Sequence, residues 1–368
     1  MNVICTDCGR TEILSPESWK CSCGGAWEPI EQNTFDPWLI DKDEHSIWRY
    51  RQFYHLGFEE PPARLGAGWT PLLPILGHTP QVFAKLEFLS PTGSFKDRGT
   101  ELMISLLAHQ GVKQVIDDSS GNAGASVAAY AGRAGMHADI YVPAHASASK
   151  LAQIGVYGAT VHPVAGPREN ARLAAQEAAG QGGVYASHAY HPAYLLGQQS
   201  VAWELWEQMD YTAPDWFIAP TAQGGNLLGC WLGFRRLYAA GLVSKMPRMV
   251  AVQSAFVAPV FHALQHRLED IPAVEPTGTS VAEGIAITQP VRRKMLLRAI
   301  RETGGTCLVV QEDEILAAQA HLARQGIWVE PTSAAAAASL QVVLEQAGPN
   351  ETIVLSLTGS GLKGKPSL

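Results

Sequence analysis

The sequence predicts an α/β chain built on parallel sheets, and three observations carry that expectation. From residue 82 onward, short apolar runs such as VFAKLEF, QVID and ADIYVP alternate with alanine-rich stretches of helical spacing. A loop rich in Gly, Ser or Asn separates run from helix each time. Strand, loop and helix repeated in this order imply crossover connections, and crossovers make neighbouring strands parallel. With 46% of its 368 residues hydrophobic, the chain has enough apolar surface to fill the cores such sheets need.

The elements follow in order. Residues 1–35 form a cysteine-rich head, because four of the six cysteines fall within the first 23 positions, while Cys230 and Cys307 stand alone. This distribution does not suit a disulfide framework spread through a secreted fold. Cys5-x-x-Cys8 and Cys21-x-Cys23, the latter followed by Gly24-Gly25, offer four thiolates from two tight turns. That is the arrangement a structural tetrahedral zinc site requires. A small ribbon that keeps its turns without metal is the alternative. The stretch EQNTFDPWLIDKDEHSIWRYRQFYHLGFEEPPARLGAG, residues 31–68, carries aromatics without a period and ends in Pro and Gly, which predicts a wrapping linker plus a first helix.

The clearest repeating unit is KQVIDDSSGNAGASVAAYAGRAG: a buried strand QVID, a turn, and a helix whose small residues face the sheet. A second unit runs from ADIYVP through Ser149-Lys150-Leu151 to VYGATVHPV, and a third is DWFIAPTAQGGNLLGCWLGFRRL. Two more helices flank the strand-like IWVEP, and TIVLSLTGSGLK supplies a last strand and a glycine-rich loop.

Composition narrows the partners. Charged residues make up 17% of the chain and the net charge is −7, so no general attraction to phosphate backbones or anionic lipid is expected. No window approaches the roughly 18 uninterrupted apolar residues of a membrane span. The start MNVICTDCGR has no basic stretch leading into an apolar core, so the expected location is the cytoplasm.

Ligands of open parallel sheets bind outside the carboxyl ends of the strands, so the loops there are the candidates for chemistry. AQGGNLLG, residues 222–229, follows a strand and opens a helix, giving backbone amides and a helix dipole suited to phosphate. It lacks both the Gly-Lys-Ser/Thr of a P-loop and the GxGxxG of a dinucleotide site. SSGNAG, residues 119–124, is a second helix entry suited to a carboxylate, or equally to an ordinary serine cap. In TGSFKDRG, Lys96 sits at a helix start, where the dipole disfavours a positive charge. A buried amine there has a lowered pKa and becomes a nucleophile toward aldehydes. A nucleophilic lysine, a phosphate cradle and a carboxylate cradle together describe a site for pyridoxal phosphate and an amino acid.

These residues carry a resemblance. SPTGSFKDRG resembles the signature around the Schiff-base lysine of the threonine synthase family, among the fold-type II pyridoxal-phosphate-dependent enzymes. SSGNAGASVAAYAGRAG, QGGNLLGCWLGF and LTGSGLK are similar to that family's Gly-Asn helix, phosphate loop and C-terminal loop, and they occur in the family's order from about residue 64 to the end. The resemblance implies two parallel-sheet lobes of the tryptophan synthase β-like architecture, with the cofactor between them and the Cys-rich ribbon in front. The small lobe would span 83–199, and the large one 36–82 with 200–368. It also implies a homodimer.

The same resemblance implies residue roles. Lys96 would bind pyridoxal phosphate as a Schiff base and later transfer protons. Asn122 would hydrogen-bond the cofactor's 3-oxygen. Ala222, Gln223, Gly224, Gly225 and Asn226 would wrap its phosphate, and Thr358 would place a hydroxyl at the pyridine nitrogen. Ser119, Ser120, Gly121 and Ala123 would receive the substrate carboxylate or a neighbouring anion. The implied reaction converts O-phospho-L-homoserine to L-threonine and phosphate.

The chain departs from the family at one place that matters. HPAYLLGQ puts Tyr194 where an arginine is expected, and Ala123 and Ser360 stand where many members have threonine and histidine. Tyrosine donates one hydrogen bond and no charge, which weakens recognition of a phosphorylated substrate. SVAEGIAI, residues 280–287, resembles serine/threonine dehydratases, so ammonia-lyase or β-replacement chemistry is the alternative. His188 and His191 lie near Tyr194, and the ordinary reading of such loop histidines is structural. A noncatalytic ligand-binding module and a dinucleotide-binding protein complete the alternatives.

Overall fold

The computed structural model describes residues 1–30, 34–75, 77–146 and 148–364. Residues 31–33 of the expected head and 365–368 of the expected large lobe lie outside the described residues, as do Leu76 and Ser147.

The strands, in chain order, are β1 (Asn2–Cys5), β2 (Thr11–Ile13), β3 (Trp27–Pro29), β4 (Leu72–Ile75), β5 (Gln81–Lys85), β6 (Gln114–Asp117) and β7 (His137–Pro143). They continue as β8 (Thr160–Val164), β9 (Val184–Tyr185), β10 (Trp216–Pro220), β11 (Arg248–Ser254), β12 (Thr306–Val310) and β13 (Thr352–Ser356). The helices are α1 (Lys96–His109), α2 (Asn122–Arg133), α3 (Ala148–Val156), α4 (Arg168–Gly180), α5 (Pro192–Gln198) and α6 (Ser200–Gln208). After them come α7 (Gly225–Ala239), α8 (Pro259–Gln265), α9 (Arg293–Glu302), α10 (Glu312–Arg324), α11 (Pro331–Ala338) and α12 (Leu340–Leu344).

Two compact units divide the chain. The first comprises Met1–Gln32, Leu39–Gly68 and Ser90–Gly197. Its main sheet is four-stranded and parallel, in the order β8-β7-β6-β9. The head adds a separate antiparallel ribbon, β2-β1-β3. The alanines and glycines of α2 bury the run Ala123–Ala131, so this helix can lie close to α1 and to β7.

The second unit comprises Asn33–Trp38, Trp69–Leu89 and Gln198–Leu368. Its six-stranded sheet runs β12-β11-β10-β13-β5-β4, parallel except for the edge strand β4. Every residue of β10 is buried, as expected of an unbroken apolar run in a sheet covered on both faces.

These boundaries do not follow those expected from sequence, and side-chain chemistry explains both differences. Residues 39–68 group with the first unit because the carboxylate of Glu101, on α1, accepts the amides of Leu65 and Ala67 and the indole N–H of Trp48. Residues 83–89 group with the second because β5 pairs with β13 and β4. The helix expected within residues 31–68 is only 3-10 turns among the described residues, at Pro37–Leu39 and Ile47–Phe53; non-helical Tyr50 (φ −109°, ψ 19°) interrupts the longer one. IWVEP forms no strand. Pro331 starts α11 at once, and Val329 makes a single bridge to Ser360.

A buried ion pair ties β5 to α6. Lys85 Nζ donates to Glu204 Oε2 and Gln208 Oε1, both at 2.9 Å, and to the Thr70 carbonyl at 2.6 Å. Lys85 and Glu204 are both fully buried. Removing one partner of such a pair strands the other charge. Lys85→Met is therefore expected to destabilise the protein by about 3–5 kcal/mol, with Lys85→Met/Glu204→Leu recovering part of the loss. Chemical denaturation checks this, and a single-variant loss below about 1 kcal/mol would contradict it.

Candidate active site

Lys96 is the first residue of α1, and the turn before it is built around its neighbour. Asp97 is fully buried. Its carboxylate accepts the Thr92 amide and the Thr92 hydroxyl, both at 2.6 Å, and the Ser126 hydroxyl of α2 at 2.7 Å. One acidic side chain thus closes the Pro-Thr-Gly turn and fastens the start of α1 to α2. Lys96 is half-buried rather than enclosed; its Nζ lies 4.6 Å from the Phe95 ring centroid and 6.0 Å from that of Tyr194.

Tyr194 is completely buried against the first turn of α1. A Cβ on Gly99 would stand 2.4 Å from the Tyr194 ring, so this approach demands glycine. His188 meets Tyr194 edge-on, with centroids 5.9 Å apart. Burial, with the charges of Lys96 and Arg168 nearby, holds His188 well below its usual range, so the imidazole is neutral at physiological pH. His191 Nδ1 accepts the Ala193 amide at the start of α5, a structural task.

The Ser119–Ala123 loop leaves the carboxyl end of β6, beside the parallel strand β9. Ser119 Oγ accepts the Gly121 amide at 3.3 Å, Gly121 caps α2, Asn122 is the first residue of that helix, and Ala123 is buried in its first turn. Ser120 and Gly121 remain partly exposed. The first unit therefore gathers Lys96 and Tyr194 at the start of α1, next to the helix that the Ser119–Ala123 loop opens.

Two buried aspartates that sequence reasoning passed over precede this loop. Asp118 accepts the Tyr185 hydroxyl at 2.8 Å and lies 3.7 Å from the Arg168 guanidinium. Asp117 Oδ2 accepts the Ser119 amide at 3.1 Å, whereas its Oδ1 is buried with no hydrogen-bond partner among the described residues. The adjacent QVIDD was itself the signal, since a carboxylate pair ending a buried strand has to be neutralised. Burial, reinforced by Asp118, pushes Asp117 up to about 7.

In the second unit, β10 and β13 are adjacent and parallel, so the loops after them leave the same end of the sheet. The first holds Ala222 and Gln223, then Gly224 in the left-handed region (φ 79°), where it caps α7; Gly225 and Asn226 begin that helix. The Gln223 side chain accepts the Val291 amide at 2.8 Å, latching the loop to the segment before α9. The second loop holds Thr358, whose amide donates to Ser333 Oγ at 2.8 Å. Ser360 caps the turn that follows, accepting the Leu362 amide.

The donor set fits pyridoxal phosphate. Asn226 and Thr358 are buried, yet neither the Asn226 amide atoms nor the Thr358 hydroxyl has a hydrogen-bond partner among the described residues. Buried polar groups in that condition are costly unless a ligand satisfies them.

The head brings Cys5, Cys8, Cys21 and Cys23 together, with all four sulfur atoms within 4.8 Å of one another. The Asp7 amide donates to Cys5 Sγ at 3.4 Å. The Arg10 amide is the chief influence lowering Cys8, to about 7. No disulfide is present among them.

The upward pKa shift of Asp117 sets the direction of a pH dependence. Its neutral form suits the fold, so that contribution is complete below the ordinary value of 3.8 and lost as pH rises through about 7. Asp117→Asn is expected to match the wild type near pH 4 and exceed it by roughly 1–3 kcal/mol above pH 7. Melting curves across that range test this; parallel pH profiles for the two proteins would refute it.

Comparison with known proteins places this arrangement. A family model described as pyridoxal-phosphate dependent enzyme matches residues 63–359. The threonine synthase of Methanocaldococcus jannaschii is 34% identical over 376 residues, covering 98% of this chain and 92% of that protein. The threonine synthase of Synechocystis sp. is also 34% identical, covering 86% and 82%. Among solved structures, the T.th. threonine deaminase has a TM-score of 0.68 at 26% identity, over 81% of this chain and 94% of that one. Maize serine racemase shares the fold, with a TM-score of 0.68 at 23% identity over 79% and 88%. The dinucleotide-binding and noncatalytic readings are thereby set aside. The likeness extends over nearly the whole length of the chain, which belongs to the threonine synthase family of fold-type II pyridoxal-phosphate-dependent enzymes and is a pyridoxal-phosphate-dependent lyase.

Proposed function

We propose that the protein converts O-phospho-L-homoserine to L-threonine and inorganic phosphate, by eliminating phosphate from the γ-carbon and adding water at the β-carbon. The observation that carries this reading is the near full-length likeness to proteins named threonine synthase. The lysine turn and the Ser119–Gly121 loop, built side by side in the first unit, agree with it.

Pyridoxal phosphate, when bound, supplies an electron-accepting ring that stabilises negative charge at the substrate's α-carbon. The chain's own residues do the rest. Lys96 would hold the cofactor covalently through Nζ and would then serve as the base that moves protons at the substrate carbons. Ala222, Gln223, Gly224 and Gly225 offer backbone donors to the cofactor phosphate, and Asn226 adds its side chain. Asn122 orients the ring at its 3-oxygen. Thr358 would offer its hydroxyl to the pyridine nitrogen, without a charge that would force protonation there. Ser119, Ser120 and Gly121 receive the substrate carboxylate, with Ala123 leaving room beside them.

A second reading rests on Tyr194. A fully buried phenol beside a neutral His188 gives the substrate's far end no cation from that wall, which favours a nonphosphorylated hydroxy amino acid and release of ammonia. Purified enzyme is expected to release phosphate and form threonine from O-phospho-L-homoserine. Keto acid and ammonia from serine or threonine, with phosphohomoserine untouched, would establish the second reading instead. Lys96→Ala is expected to lower turnover by at least about 10²–10⁴-fold, and retention of normal turnover would overturn both.

We also propose that the four head cysteines hold a structural zinc ion. Four soft ligands at this spacing leave no open coordination position for substrate. Metal analysis of purified protein is expected to find one zinc per chain, lost in Cys21→Ser. Zinc-free protein with an intact ribbon would refute the assignment.

A further inference from the structure

The ribbon is too small to stand alone. Its buried cluster consists of Val3, Cys5, Leu14, Cys21 and Trp27, two of which are the cysteines themselves. A unit of this size depends on a staple or on a larger neighbour. It reaches a neighbour through Trp19, two residues before Cys21, which is 9% exposed and packs with Ile116, Ala175, Ala179 and Tyr185 of the four-stranded sheet and α4. The indole stands edge-on to Tyr185 at 5.0 Å and to Tyr190 at 4.9 Å, between centroids.

Both tyrosines lead to the loops of the active site. Tyr185 ends β9, and its hydroxyl donates to Asp118 Oδ1 at 2.8 Å. Asp118 is the residue immediately before Ser119. Tyr190 lies between His188 and His191, in the segment that runs into α5 and Tyr194. A contiguous route from the cysteine cluster to the Ser119–Gly121 loop therefore runs through Cys21, Trp19, Tyr185 and Asp118. Every contact along it falls within the first unit.

We propose that the cysteine ribbon is a positioning element for the amino-acid site: folded around a soft divalent metal, it wedges Trp19 between Tyr185 and Tyr190, and Tyr185 holds Asp118 and the loop that follows in substrate-binding geometry. This rests on the reading of Ser119–Gly121 as the substrate-carboxylate loop. Trp19, Tyr185 and Asp118 touch no reacting atom; they act through the loop. Loss of metal frees Trp19, and the amino-acid site loosens while the loop proposed for the phosphate, in the other unit, keeps its own anchor at Val291.

The test uses full-length holoenzyme and four readouts: KM, kcat, the coenzyme absorbance band and the melting temperature. Substrates are O-phospho-L-homoserine and L-threonine. Tyr185→Phe removes the hydrogen bond that holds Asp118 and is expected to raise KM roughly tenfold. Its kcat should change less than threefold and its coenzyme band not at all. Trp19→Ala should do the same, with Trp19→Phe regaining most of the loss. Metal chelation of the wild type should reproduce the KM rise yet add nothing to Trp19→Ala, because both break one route.

Ser120→Ala separates this inference from the reading beneath it. If Ser120→Ala raises KM while Tyr185→Phe and chelation leave it unchanged, the ribbon does not position the loop. If Ser120→Ala is neutral as well, the loop is not the carboxylate site, and the inference falls with that reading. Should Trp19→Ala fail to fold, Tyr185→Phe and chelation still decide the matter, since neither removes buried apolar volume.

Discussion

The carboxylate of Asp97 is the constraint on which the rest of the site depends. An amine at the first position of a helix meets the positive end of the helix dipole, and a chain left to itself would turn that side chain into water. Here the next residue is a buried acid with three short hydrogen bonds, to both donors of Thr92 and to Ser126 of α2. The turn cannot unwind without stranding that charge in the core, which costs far more than the unfavourable dipole at Lys96. Fixing Asp97 thereby fixes the position of the lysine, of the α2 entry, and of Gly99 against Tyr194.

The two units solve the same problem by different means. In the first, charged side chains hold the loops: Asp97 the lysine turn, Asp118 with Tyr185 and Arg168 the start of the Ser119 loop. In the second, neutral groups do so, with Gln223 on Val291 and Ser333 on Thr358. Neutral anchors beside the Ala222–Asn226 loop leave its backbone amides as the attraction for an anion such as the proposed cofactor phosphate, and a hydroxyl at position 358 adds no carboxylate to compete with it. The first unit can tolerate acids beside the Ser119–Gly121 loop because burial raises Asp117 to about 7, which lessens its charge, while Asp118 has Arg168 beside it.

Much of this was legible in the sequence, and the remainder was hidden for physical reasons. The runs QVID, ADIYVP and TIVLSL became β6, β7 and β13 because each is apolar, short and bounded by turn residues, which leaves a strand in a covered sheet as the ready outcome. Lys96 at the head of α1 and the glycine-rich loop that opens α7 were readable from local chemistry alone. IWVEP misled because apolar periodicity cannot show that no neighbouring strand waits to pair with it. The unit boundaries were hidden because they hang on long-range bonds such as Glu101 to residues 65 and 67, and on the pairing of β5 with β13. Trp19 gave no signal of its role either, since one tryptophan in a cysteine-rich head reads as part of that head until Tyr185 and Tyr190 are seen around it.

The central claim is that a single amine, that of Lys96, carries the coenzyme covalently. Borohydride converts an imine into a stable secondary amine, so reduction of the yellow holoenzyme followed by proteolysis and mass spectrometry locates the attachment directly. The account requires the reduced pyridoxyl phosphate on the peptide containing Ser94-Phe95-Lys96, together with loss of absorbance above about 400 nm. Attachment at any other lysine, or an unmodified Lys96 in protein that had carried the coenzyme, would contradict it.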